Sequence, residues 1–145
     1  MSDEVQKRRI LAPTDFSEIS TKAVQIADRI ARERDADLTL LHVHPIVQTA
    51  FLDLTYTESP EKLSESIIFL EEKLTEMAST LLTPMDRIDP RVLIGAPIEQ
   101  IVKESATHGL MVMSCQGHSG LSQLLMGSVA ERVIRLASCS VLIVK

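Results

Sequence analysis

The stretch "SCQGHSGLSQLLMGS", Ser114 to Ser128, holds three of the chain's five glycines just after an apolar run and just before a helix-like segment. Glycine gathers where φ must be positive or where another group must come close to the main chain. A strand end that runs into a helix start is a recurrent phosphate site. Gly127 and Ser128 open the helix that follows. The free N–H groups of Ser128 and Val129, with the positive end of the helix dipole, would face an anion without help from a lysine. The same pair also reads as a tight turn and an N-cap, worth about 1 kcal/mol. A second candidate loop, "PTDFSE", follows an earlier apolar run, and within it Asp15-x-x-Glu18 has the form of a capping box. The pattern GxxxxGK[ST] does not occur, and no GxGxxG follows the first apolar run, so neither of those nucleotide fingerprints applies.

Other chemistry-bearing residues give weaker signals. His42 and His44 alternate, which on a strand puts them on one face, as a metal pair would be. No carboxylate or cysteine clusters beside them in sequence, and they read instead as core or strand-end histidines. Cys115 and Cys139 have neither CxxC nor His-bearing metal spacing, so no disulfide framework or zinc site is expected, and Cys115 reads as a plain thiol.

The elements that must position these loops follow from periodicity. "RILAPT", Arg9 to Thr14, suits a buried strand. From Ser17 on, Ile19, Ala23, Ile26, Ala27, Ile30 and Ala31 recur at three- and four-residue steps, which predicts an amphipathic helix. "DLTLLHVH", Asp37 to His44, is a nearly continuous β-favouring run closed by Pro45. The segment 45–60 has no clean period and is expected to be a long loop. Ser59-Pro60 then signals a helix start, and Leu63, Ile67, Leu70, Leu74, Met77 and Leu81 keep 4-3-4-3-4 spacing. Such a seam suits a coiled coil or, in this context, one helix packed on a sheet. "RVLIG" at Arg91 to Gly95 predicts a strand, and "APIEQIVKESATHG" a helix capped at Gly109. "LMVMS", the glycine loop, the helix "GSVAERVIRLAS" and the strand "SVLIVK" follow. Five strands alternating with four helices predict an open, doubly wound, parallel α/β sheet with helices on both faces, as a single domain over residues 1–145. In that architecture ligands sit outside the carboxyl ends of the strands where the strand order reverses, and both candidate loops lie at such ends.

Composition narrows the classes. At 145 residues, with 45% hydrophobic and 24% charged side chains, the chain has a globular balance. No window approaches the roughly 18 apolar residues of a membrane span. "MSDEVQKRRI" does not read as a signal peptide, which makes the cytoplasm the default expectation. A net charge of −5 with 3% aromatic residues argues against a nucleic-acid partner.

"ILAPTDFSE", "LLHV", "GxxxxxxxxxGSVAERV" and "CSVLIVK", in this order and over essentially the whole chain, resemble the universal stress protein family. The signature of its nucleotide-binding branch is G, two residues, G, nine residues, then G with Ser or Thr. In register it falls on Ser114, Gly117, Gly127 and Ser128, with serine in place of the first glycine. The Ser114 hydroxyl is expected to be able to bond a phosphate or ribose oxygen. The resemblance implies a Rossmann-like, adenine-nucleotide-binding regulatory protein that takes ATP, or AMP or ADP, with Mg²⁺ or Mn²⁺. It implies that Pro13, Thr14 and Asp15 line adenine and ribose, that Val43 gives adenine an apolar edge, and that Met113 adds a further contact. His118 stands where relatives often have Arg or Lys near the phosphates; it reads alternatively as an exposed loop histidine. The last strand lies at the sheet edge in this family, which implies a homodimer through Val141 to Val144. No positioned base, metal set or catalytic lysine stands out, so a regulator is expected rather than an enzyme. A non-nucleotide interaction module and a slow ATPase are the alternatives.

Overall fold

The computed structural model describes residues 2–46, 49–51, 54–56, 58–117 and 126–145. In chain order a short helix α1 (Asp3–Lys7) leads to β1 (Arg9–Pro13), α2 (Glu18–Glu33), β2 (Asp37–His44), β3 (Thr49–Phe51) and β4 (Leu54–Tyr56). Then come α3 (Pro60–Ser79), β5 (Ile88–Ile94), α4 (Pro97–Ser105), β6 (Leu110–Ser114), α5 (Ser128–Leu136) and β7 (Ser140–Val144). The main sheet has five strands in the order β5-β2-β1-β6-β7, and every pairing in it is parallel. From β1 the chain winds outward through β2 to β5, then crosses back to β6 on the other side of β1. The strand order therefore reverses between β1 and β6, and the expected doubly wound sheet is the one observed.

Strand residues alternate between two packed layers, as a period of two requires. Ile10, Ala12, Leu38, Leu40 and Val112 pack with Ala23, Val24 and Ala27 of α2 and Leu74 and Ala78 of α3. Leu11, Leu41, Val43, Met111 and Met113 face the other way, onto Ile101 of α4 and Ala130 and Val133 of α5. Both faces are covered, which explains why the inner strands read as unbroken apolar runs. Each fully buried leucine adds about 1.5–3 kcal/mol to this core.

Several boundaries differ from expectation. Within the expected loop, Thr49–Phe51 and Leu54–Tyr56 pair as the antiparallel strands β3 and β4; two strands of three residues are too short to leave a periodic signature. β5 begins at Ile88 rather than Arg91 because Pro90 sits on an edge strand, where a missing ladder donor is tolerated. The first strand stops at Pro13. The helix seam serves to pack α3 on the sheet, and Leu81 lies beyond the helix end. α4 ends at Ser105, so Gly109 is no helix cap; its N–H pairs with the Arg9 carbonyl at 3.0 Å. Close packing explains this glycine, since a Cβ there would lie 2.6 Å from Lys7 Cα of α1. The helix start after β1 is also capped differently. Ser17, not Asp15, is the N-cap of α2, its side chain accepting from the N–H of Ser20 at 3.3 Å.

Candidate functional site

A cleft of about 250 Å³ opens at the carboxyl ends of β1 and β6, at the reversal of strand order. Its walls come from three places. The first is the end of β1 with the loop Pro13, Thr14 and Asp15. The loop turns sharply because Phe16 takes a left-handed φ of 63°, a conformation costing a side-chain-bearing residue about 1–2 kcal/mol. Local bonds and packing hold it there. The Phe16 N–H donates to Thr14 Oγ1 at 3.0 Å and the Ser17 N–H to Asp15 Oδ1 at 3.0 Å. The Phe16 ring lies 4.7 Å from the His42 ring and 4.4 Å beneath the Lys73 ammonium.

β6 and the glycine loop form the second wall. The Cys115 N–H donates to the Val144 carbonyl at 2.9 Å, carrying the β6–β7 ladder one residue further. The Ser114 hydroxyl donates to the Gln116 carbonyl at 2.7 Å. Its proton is thus engaged in closing the loop from within. Gly117 is a close approach: a Cβ there would lie 2.5 Å from Asp15 Oδ2. The two loops meet across that contact.

The third wall is the start of α5. Gly127 is its N-cap residue, and its N–H donates to the Cys115 carbonyl at 2.7 Å. No side chain among the described residues caps this helix. Among the described residues nothing accepts from the N–H groups of Ser128 and Val129, which both line the cleft. The first turn of α5 therefore presents to the cavity the positive end of its dipole and donors that have no partner among the described residues. Val43, Leu41, Ile101 and Met113 supply an apolar floor.

His42 lies at the edge of this floor. Its Nδ1–H donates to the Thr14 carbonyl at 2.8 Å, tying β2 to the β1 loop. Burial pushes its pKa below the ordinary histidine value, against the opposing pull of that carbonyl and of Asp15, so the neutral ring is favoured. His44 instead reaches Glu58 at 3.2 Å. Among the described residues no group of three or more His, Cys, Asp or Glu is placed to hold a metal ion.

Pro13, Thr14, Asp15, Val43, Met113, Ser114, Gly117, Gly127, Ser128 and Val129 are thus brought to one cavity from segments far apart in sequence. His118 lies outside the described residues. Sequence reasoning missed Ser20, Pro97 and Ile101, which also line the cleft. Ser20 bonds Thr14 Oγ1 at 3.0 Å from beneath. Gly95-Ala96-Pro97 at the end of β5 was the available signal for the α4 side, being a strand-to-helix turn with proline at the first helical position.

Residues 7–145 match the model of the universal stress protein family. The chain belongs to that family. It is 35% identical over 144 residues to a universal stress protein of Methanocaldococcus jannaschii, covering 95% of this chain and 82% of that one. Among solved structures, universal stress protein UspA from Lactobacillus plantarum superposes with a TM-score of 0.71 at 21% identity, covering 97% of this chain and 99% of that one. A universal stress protein solved in complex with cAMP gives 0.69 at 23% identity, over 97% of this chain and 98% of the other. One from Archaeoglobus fulgidus in complex with dAMP gives 0.64 at 17% identity, over 97% and 99%. At these identities the structural likeness speaks for the fold.

Proposed function

We propose that this chain is an adenine-nucleotide-binding regulatory module. The observation that carries the reading is the first turn of α5, uncapped among the described residues, facing the Ser114–Gly117 loop across an apolar cleft at the point where the strand order reverses. The cavity suits a purine on Val43, Met113 and Ile101, with Asp15 in reach of a ribose hydroxyl and a phosphate at the N–H groups of Ser128 and Val129. Family relatives solved with cAMP and dAMP support an adenine ligand. An accompanying Mg²⁺ or Mn²⁺ would be carried chiefly by the phosphates, since Asp15 is the one carboxylate in the described lining. Binding without rapid turnover is expected. Hydrolysis needs a positioned water and charge stabilisation at the γ-phosphate, and the described walls offer backbone N–H groups instead. Two chains pair through the outer edge of β7, and the protein works in the cytoplasm; no helix among the described residues is long and apolar enough to cross a membrane.

Isothermal titration of the intact chain with AMP and with ATP and Mg²⁺ tests the reading, with Gly127→Glu as the matched variant. A Cβ at Gly127 would sit 3.3 Å from the Cys115 carbonyl, and the glutamate adds a negative charge beside the first turn of α5, where the phosphate is proposed to lie. Heat with the parent chain and none with a folded Gly127→Glu is expected. Normal binding by that variant overturns the site, and no heat from either ligand near 1 mM, a bound of roughly −4 kcal/mol, leaves the non-nucleotide interaction module. Turnover near 1 s⁻¹ that Gly127→Glu abolishes would make the protein an enzyme.

A further inference from the structure

The chain carries no lysine or arginine in residues 10–21, 35–61, 92–102 or 104–131. Those ranges hold the carboxyl ends of β1, β2, β5 and β6 and the loops that follow them, so these segments contribute no lysine or arginine to the face of the sheet that bears the cleft. The described lining agrees, containing one carboxylate, Asp15, and no lysine or arginine. Lys73 does not line the cleft; its ammonium lies over the Phe16 ring at 4.4 Å. Among the described residues, positive potential in the cleft therefore comes from the first turn of α5. A helix terminus supplies about half a unit charge, and its influence fades within one turn. That matches one phosphate. A second and third phosphate would lie in a field set by Asp15, whose Oδ2 sits against Gly117, and by a chain of net charge −5.

Resting on the nucleotide reading above, we infer that the cleft selects by phosphate charge: it takes adenosine bearing a single phosphate without metal, and a triphosphate only when a divalent cation has neutralised it. A triphosphate adds about two negative charges to those of a monophosphate, and at the effective dielectric of a protein surface each uncompensated charge within several ångströms weakens binding by about tenfold or more.

The test is a calorimetric series on the full chain with adenosine, AMP and ATP, each in EDTA and then with excess Mg²⁺. AMP is expected to bind at least about tenfold more tightly than ATP in EDTA, with Mg²⁺ closing most of that gap while leaving AMP unchanged. Raising the salt concentration should narrow the EDTA gap as the repulsion is screened. Gln116→Arg places a cation on the cleft wall and should tighten ATP in EDTA about tenfold, and AMP less. If ATP in EDTA binds as tightly as AMP or more so, the charge selection is wrong while the nucleotide site stands. If neither adenosine nor AMP binds, the nucleotide reading falls and takes this inference with it. The series on the parent chain decides the matter even if Gln116→Arg fails to fold.

Discussion

Gly109 and Gly117 look alike in the sequence, and the structure gives them opposite roles. At Gly109 an added Cβ meets backbone, Lys7 Cα at 2.6 Å, and backbone cannot step aside without moving α1. Gly109→Ala should therefore lose about 1–3 kcal/mol of stability in denaturant unfolding, with ligand affinity unchanged. At Gly117 the obstacle is the end of a side chain, Asp15 Oδ2 at 2.5 Å. Gly117→Ala should cost less stability and should weaken nucleotide binding, because Asp15 must swing away and release the Ser17 N–H. Equal binding losses for the two variants would contradict this division. His108 gives a second residue-scale prediction. It is 4% exposed, its Nδ1 bonded to the Glu104 carbonyl at 2.8 Å and its Nε2 to the Thr39 hydroxyl at 2.9 Å. Burial holds its pKa below the ordinary value despite the opposing pull of that carbonyl. The folded state thus keeps the ring neutral while the unfolded state takes up a proton below about pH 6.5, so stability present at pH 7 is lost as the pH falls through that value. His42 acts in the same direction. The melting temperature should drop between pH 7 and pH 5, and His108→Gln should flatten the slope; an unchanged slope would remove His108 from this account. Gly117 was placed at the site by the resemblance, but its contact with Asp15 and the roles of Gly109 and His108 were not legible in sequence, since each depends on a partner brought close only by folding.

Among the elements, α2 and the segment that follows α3 are joined by one buried carboxylate. Asp28 Oδ1 accepts from the Thr83 N–H at 2.8 Å and Oδ2 from the Leu82 N–H at 3.3 Å, with Arg32 at 3.5 Å. Burial alone would raise its pKa, but the bonds from Thr83 and Leu82 and the Arg32 charge outweigh it and hold the carboxyl below its ordinary 3.8. A depressed carboxylate stabilises above the unfolded pKa and loses that contribution as the pH falls through the folded one. Asp28→Ala should cost about 1–3 kcal/mol at pH 7 and a smaller amount at pH 3, read from urea midpoints at both values. A cost that does not change with pH would assign the effect to packing. The main strands and helices could be read from sequence because alternating apolar runs and three-to-four spacing report burial directly. Asp28 lies between apolar positions of α2 and reads as solvent-facing there, since nothing in its own helix announces the segment that folds over it. The β3–β4 pair was missed for the converse reason, its strands being shorter than one readable period. The cleft was legible in outline because strand-end loops at a reversal of strand order collect ligands, but the engaged Ser114 hydroxyl needed the loop geometry.

At the scale of the whole molecule, the two edges of the sheet differ. β5 carries Pro90 and the ion-paired Arg91, whereas β7 is the apolar run Ser140–Val144. Because the Val144 carbonyl accepts from Cys115, alternation turns the N–H of Ile143 outward, away from β6. Light scattering should give a dimer mass at micromolar concentration, and Ile143→Pro, which removes an outward donor while sparing the β6 ladder, should shift it toward monomer. A monomer mass for the parent chain would rule the pairing out. The position of β1 has a consequence for how the protein comes into being. Ile10 lies beside Leu110 in the finished sheet, so during synthesis the loop that begins at Pro13 leaves the ribosome long before the strand that will face it. β1 pairs with β2, its near neighbour in sequence, but one lip of the cleft waits for β6 and α5. Closing so long a loop is slow relative to local helix formation, and a ligand held by both lips binds the finished fold alone, drawing the last folding step toward completion.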